Sequence, residues 1–168
     1  MRVLGIDPGS ETLGWGIVEG DGSRYQAVEF GVVRSSPKDV FSKRLARVFN
    51  GVTEVIDTYR PDFLSLEEAF YAANAQVALK LGQVRGVVLL AAELSLIDIA
   101  EYSPRLIKQT VVGYGNAEKH QVGEMVKILL RLSSVPKPHD AADALAIAIC
   151  HFHHAGTAER IKNAIGGS

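Results

Sequence analysis

Between Asp140 and Cys150 the chain reads Asp-Ala-Ala-Asp-Ala-Leu-Ala-Ile-Ala-Ile-Cys, small and apolar on every helical face apart from its two acids. A helix without a polar side must be covered all round. In 168 residues with 47% hydrophobic content, that requires one domain whose other elements wrap this helix. The two acids then sit where water is scarce. Ionised carboxylates left unpaired in such a place are strongly destabilising or take up a proton, and no Arg or Lys stands beside them on the helix. A bound cation is expected, with its remaining ligands elsewhere in the chain.

The elements that could supply those ligands follow from hydrophobic period and turn residues. Arg2 to Asp7 is a short apolar run stopped by Pro8-Gly9, and Thr12 to Glu19 resumes as its hairpin partner. After Gly20-Asp21-Gly22-Ser23, Tyr25 to Arg34 adds a third strand to an antiparallel meander. Val40 to Tyr59 carries Phe41, Leu45, Val48, Val52, Val55 and Ile56 at helical spacing. Phe63 to Glu67 reads as a buried strand, Ala75 to Leu94 as a helix, and Ile97 to Tyr102 as a fifth strand. Pro104 opens a short helix to Val111, Asn116 is the expected cap of another ending near Leu130, and Asp140 begins the last. The order βββαβαβααα describes an α/β fold, a mixed five-stranded sheet flanked by helices. Gly82 and Gly86 cost their helix about 1 kcal/mol each relative to Ala, so close packing against another element is expected there.

Asp7 ends the first strand at a sharp Pro-Gly turn, and Glu67 ends the fourth. If those strands are neighbours, the two carboxylates meet, and Asp140 and Asp143, three apart on one helix face, close the set from the side. Each acid has a plainer role open to it: Asp7 as a turn residue, Glu67 as a solvated strand end, Asp140 as a helix cap and Asp143 as a first-turn acid. Three separate segments delivering an acid at an element's end favour the joint site. Four carboxylates without Cys or an obligatory His suit Mg²⁺ or Mn²⁺ better than Zn²⁺.

Five motifs in order, Gly5-Ile-Asp-Pro-Gly-Ser10, Leu66-Glu-Glu-Ala-Phe70, Lys108-Gln-Thr-Val-Val-Gly113, Ala117-Glu-Lys119 and Asp140-Ala-Ala-Asp-Ala-Leu-Ala146, closely resemble those of bacterial RuvC-type Holliday-junction resolvases. The resemblance covers roughly residues 1 to 155. It implies an RNase H-like nuclease domain over residues 1–156; the short tail at 157–168, ending Ile-Gly-Gly-Ser, is expected to fray. It further implies a homodimer that nicks two symmetry-related strands of four-way junction DNA with two Mg²⁺ per site (Mn²⁺ a substitute), leaving 5′-phosphate and 3′-hydroxyl ends. Position by position, Asp7, Glu67, Asp140 and Asp143 match the catalytic, metal-binding acids. Lys108 and Lys119 match lysines that act in catalysis and on DNA, and Phe70 matches the aromatic that stacks on the junction. Glu68 has no counterpart role, and His139 precedes Asp140, a position where some relatives carry histidine. The RuvA–RuvB branch-migration complex is the partner so implied.

Other features constrain less. Net charge is −1, although residues 76–137 hold eight Lys and Arg against five acids, and two divalent cations would bring the protomer to about +3. No apolar stretch reaches the roughly 18 to 20 residues of a membrane span, the first residues lack a signal pattern, and the lone Cys150 fits a reducing cytosol as a buried residue. A cytoplasmic protein is expected, with no membrane contact. His151, His153 and His154 diverge on a helix and are expected at an exposed helix end; Tyr71, Trp15 and Tyr114 receive no chemistry. Gly5 to Ser10 also looks like the phosphate loop of actin-like ATPases and sugar kinases, but those need a second lobe and a second phosphate loop, and none is visible here. A junction-binding protein that does not cut would lack the acids, and a superfamily nuclease acting on RNA–DNA hybrid would not call for the lysine motif or the Phe70 loop.

Overall fold

Alternation of apolar and small residues along the strands divides the molecule into two helical layers around one sheet. The computed structural model describes residues 1–21, 24–68 and 74–165, with side chains as far as 155. Strands β1 (Arg2–Asp7), β2 (Thr12–Gly20), β3 (Tyr25–Arg34), β4 (Phe63–Glu67) and β5 (Asp98–Tyr102) form a sheet in the order β3-β2-β1-β4-β5. The first three make an antiparallel meander; β4 and β5 add on in parallel, as the helical crossovers before each require. Helices α1 (Phe41–Tyr59) and α2 (Ala75–Leu94) cover one face, and α3 (Pro104–Val112), α4 (Lys119–Leu129) and α5 (His139–Ile165) the other.

Leu4, Ile6, Leu13, Ile17, Leu64 and Leu66 point to the α1/α2 layer and meet Val48, Val52, Ile56, Val84 and Val88. Their strand neighbours point the other way, toward α5. From Ala141 to Phe152 every residue of α5 except Asp143 and His151 is no more than 2% exposed, and each of Leu145, Ile147, Ile149 and Phe152 contributes on the order of 1.5–3 kcal/mol by leaving water. The sheet, α3 and α4 supply the all-round cover that the sequence demands.

α5 can lie this close because the strands beneath it present glycines. Gly5 and Gly16 are paired across β1 and β2, as are Asp7 and Gly14. A Cβ on Gly5 would come within 2.0 Å of the Ala144 carbonyl oxygen, and one on Gly14 within 2.0 Å of that of Asp140. Backbone therefore rests on backbone along the helix's first half.

Three details differ from the sequence-based expectations. α4 starts at Lys119 with Glu118 as its cap, not at Asn116: Gln121 Oε1 accepts the Glu118 N–H at 2.9 Å, so a capping box sets the boundary. α5 continues to Ile165, beyond Gly156 where a tail was expected to begin. Among the described residues nothing outside their own helix comes within 4 Å of the place a Cβ would take on Gly82 or Gly86, so the expected close packing is not found there. Among the described residues no helix is long and apolar enough to cross a membrane.

Candidate active site

Strand alternation decides which acids can meet. Val3, Gly5 and Asp7 of β1 face α5, as do Phe63, Ser65 and Glu67 of β4; Ser65 Oγ donates to the Ile147 carbonyl at 3.1 Å. Parallel pairing of Ile6 with Leu66 sets Asp7 and Glu67 at adjoining strand ends on that face. The α5 backbone crosses above Gly14, the cross-strand partner of Asp7, so Asp143 reaches the same place from above. Asp7, Glu67 and Asp143 line one cleft of about 230 Å³ with Lys108, Lys119, Pro104, Ile107, Val122, Ala146 and Ile147. Asp140 is not among the residues that line it: partly exposed in the first turn of α5, it reaches the site only through its charge, which adds to the rise at Asp7.

The charges are coupled. Burial first, then Asp143 and Glu67, push the Asp7 carboxyl up to about 7, with Asp140 adding and Lys119 opposing. Glu67 is likewise raised, by burial and then Asp143, against Lys119, Lys108 and Arg85. Lys119 Nζ lies 3.1 Å from Asp143 Oδ2, and that carboxylate is the main reason its ammonium is held above the usual lysine value. With Lys119 77% exposed, this ion pair contributes only about 0–1 kcal/mol to stability. It answers one negative charge among four.

That residual negative charge is a test of whether divalent cations fit. The donors are all carboxylate oxygens around a half-buried cleft, the set hard cations prefer. Among the described residues no three His, Cys, Asp or Glu groups stand close enough together to hold a metal ion, so cations would have to draw the carboxylates inward. Burial and, after it, the repulsion from Asp143 and Glu67 both disfavour the Asp7 carboxylate, and a divalent cation would offset both.

A model of the crossover junction endodeoxyribonuclease RuvC matches residues 3–151, which takes in every one of these acids and both lysines. The chain belongs to the RuvC family. It is 45% identical to a RuvC of Caldanaerobacter subterraneus subsp. tengcongensis over 161 residues, 96% of this chain and 98% of that one. Identity with a RuvC of Rubrobacter xylanophilus is 49%, covering 90% of this chain and 86% of the relative. The structure of Thermus thermophilus RuvC in complex with Holliday junction substrate superposes with a TM-score of 0.89 at 36% identity, over 94% and 96% of the two chains. The yeast mitochondrial resolvase Ydc2, at 14% identity and a TM-score of 0.67, shares the fold. The sheet and its flanking helices are thus the RNase H-like architecture of RuvC.

The other residues singled out above fall as follows. His139 is exposed at the first position of α5. Phe70 and Tyr71 lie outside the described residues. Cys150 is fully buried, and burial pushes its thiol up to about 11, so it is not a reactive group. The expected exposed histidine end is overturned at His151, which is 5% exposed: its Nδ1 and the Tyr102 hydroxyl are 2.9 Å apart, and its ring lies 4.6 Å from that of Phe63. His154 stacks on Tyr102 at 5.3 Å and His153 turns to Tyr25, so the three do diverge. β5 ends in an aromatic that covers this stretch of α5, a tertiary partner with no local signal.

Two buried arginines beside the acids are not singled out by sequence reasoning. Arg44 of α1 donates to the Ser10 carbonyl in the turn after Asp7, and its Nε to Ser35 Oγ at 3.3 Å. Arg85 of α2 donates to the Glu67 carbonyl and, at 2.7 Å, to Glu101 Oε2. The available signal was a lone cation inside an otherwise apolar helical pattern.

Proposed function

We propose that this chain is a metal-dependent structure-selective endodeoxyribonuclease that resolves Holliday junctions in homologous recombination and DNA repair, by symmetry-related nicking that leaves 5′-phosphate and 3′-hydroxyl ends. The observation that carries this is the convergence of Asp7, Glu67 and Asp143 with Lys108 and Lys119 in one cleft of a RuvC-family chain.

Asp7, Glu67, Asp143 and, from the first turn of α5, Asp140 would hold two Mg²⁺, with Mn²⁺ a substitute. Such a pair, when bound, activates a water on one side of a phosphodiester and stabilises the leaving 3′ oxygen on the other. The chain's own groups do the rest. Lys119 keeps its proton well above neutral pH, and its ammonium meets charge developing on the phosphoryl oxygens. Lys108, across the cleft beside Glu67, does the same from α3. The apolar floor of Ile107, Val122 and Ile147 excludes bulk water beneath the reacting phosphate. Phe70, three residues after Glu67, is placed by sequence to stack on an unpaired base, worth about 1–3 kcal/mol.

A junction with two-fold symmetry needs two cuts, hence a homodimer. The outer face of α2 is the surface that fits: Leu79, Leu90 and Leu94 are exposed and Gly82 and Gly86 leave open space between them. A RuvA–RuvB branch-migration complex as partner and a cytoplasmic location complete the proposal, and the match to the RuvC family supports both. Incubating a labelled four-way junction with wild-type protein and Asp7→Asn, with and without Mg²⁺, tests the whole. Symmetric nicks by wild-type protein with Mg²⁺ alone are expected; equal cutting by Asp7→Asn sinks the mechanism, and equal cutting of linear duplex sinks the substrate.

A further inference from the structure

Arg85 lies on the inner side of α2, 9% exposed, beside Val84 and Val88 in the apolar layer beneath the sheet. A guanidinium so placed is tolerated only with its charge paired and its donors used. Both conditions are met at the end of the sheet: Nη1 donates to the Glu67 main-chain carbonyl and Nη2 to Glu101 Oε2 at 2.7 Å. The fork therefore spans β4 and β5.

Its position matters because the strand ladder runs out there. Pairing between β1 and β4 stops at Ile6 and Leu66, so Glu67 is the first residue of β4 without a register partner on the β1 side. On the other side it is opposite Tyr102, whose carbonyl accepts the Glu68 N–H at 2.9 Å. What holds the last peptide of β4 is thus that β5 pairing and the Arg85 fork. In a strand, the direction of a side chain follows the orientation of its own peptide units. Fixing the Glu67 carbonyl from the α2 layer fixes where the Glu67 carboxylate points on the opposite, α5-facing side.

We propose that Arg85 is a positioning residue for strand cleavage, clamping the terminal peptide of β4 to β5 so that the Glu67 carboxylate stays within reach of the cations it shares with Asp7 and Asp143. This rests on the nuclease reading above. Arg85 touches neither substrate nor metal. Lysine cannot replace it fully, because one ammonium on a flexible stem cannot bridge two acceptors that a planar fork spans. The same helix carries the exposed glycine and leucine face on its far side, which makes Arg85 the polar link between that face and the site.

The test uses the full chain with Arg85→Met and Arg85→Lys. At saturating protein, single-turnover cleavage of a labelled four-way junction should fall about 10- to 100-fold in Arg85→Met, the range expected when a reacting group is displaced by about 1 Å. The Mg²⁺ concentration for half-maximal cleavage should rise, while junction affinity measured in Ca²⁺ stays within about threefold of wild type. Arg85→Lys should recover part of the rate and part of the Mg²⁺ dependence. A folded Arg85→Met with wild-type rate and Mg²⁺ requirement overturns the proposal, and so does a rate loss matched by equal loss of junction affinity at unchanged Mg²⁺ requirement. Should Arg85→Met not fold, the lysine variant decides: wild-type rate and Mg²⁺ requirement there overturn the clamp. Mn²⁺ binding followed by calorimetry without DNA keeps the two readings apart. Wild-type protein that cuts no junction removes the nuclease reading, whereas weaker Mn²⁺ binding by both variants still supports the clamp.

Discussion

Asp7 has neighbours that oppose its ionisation, and the sign of the resulting pH effect is unusual for an aspartate. Its ordinary value is 3.8, and in the folded chain it is pushed up to about 7, chiefly by burial and Asp143. Between those pH values the folded protein holds a proton that the unfolded chain has released, so this group makes stability fall as pH rises through that window. Metal-free Asp7→Asn should therefore melt above wild type at pH 8, by on the order of 1–3 kcal/mol, with the gap closing toward pH 4. Differential scanning calorimetry in EDTA reads this directly. Divalent cations should reverse the penalty. Mg²⁺ or Mn²⁺ should raise the wild-type melting temperature more at pH 8 than at pH 5.5, since at low pH the metal must displace a proton, and the increment should be largely lost in Asp7→Asn. Lys119→Met removes the one cation paired with Asp143, and should slow cleavage by about 10²-fold in a single-turnover assay. That Asp7, Glu67 and Asp143 would meet was legible because each ends an element or interrupts an apolar run, whereas Asp140 does not line the cleft they share. Arg85 and His151 were not, since nothing local tells a buried, partnered cation or imidazole from a solvated one.

At the scale of elements, the strands Arg2–Asp7, Tyr25–Arg34 and Phe63–Glu67 have the bounds that period and turn residues give, because Pro8-Gly9, the loop after Arg34 and Pro61 punctuate them sharply. The start of α4 was misplaced because Asn116 and Glu118 can both cap, and only the reciprocal bond with Gln121 separates them. The glycine floor beneath α5 was legible as glycines but not as a floor, since Gly5, Gly14 and Gly16 come together only through the β1–β2 register. It makes a sharp prediction. Gly14→Ala adds one methyl 2.0 Å from the Asp140 carbonyl oxygen, so α5 must lift at the end that bears Asp140 and Asp143. A loss of about 1–3 kcal/mol in chemical denaturation is expected, together with weaker Mn²⁺ binding. Undiminished Mn²⁺ affinity would show that Asp140 and Asp143 do not depend on this contact.

For the whole molecule, the exposed face of α2 matters most. A helix apolar on both sides is covered in the native assembly more often than left open to water. Leu90→Glu places a charge in the middle of that face, opposite the side that packs on α1 and the sheet. It should shift the proposed dimer to monomer in sedimentation equilibrium while leaving far-UV circular dichroism unchanged. Paired nicks on a cruciform plasmid should give way to single nicks, because two sites no longer arrive together. Persistence of the dimer would move the interface elsewhere. From the two glycines four residues apart, the sequence led to an expectation of close packing against another element; what it could not show was which way they point.

The direct contact of α5 with β1 and β2 has a consequence for how such a site tolerates change. Most helices are seated on sheets through interlocking side chains, a layer that can be repacked one methyl group at a time. Here the spacing between Asp7 and the helix bearing Asp140 and Asp143 is set by main-chain atoms, which no substitution can trim or lengthen. Drift in the surrounding core can alter how firmly the domain holds together, but it has no gradual means of retuning the distance between Asp7 and the acids of α5.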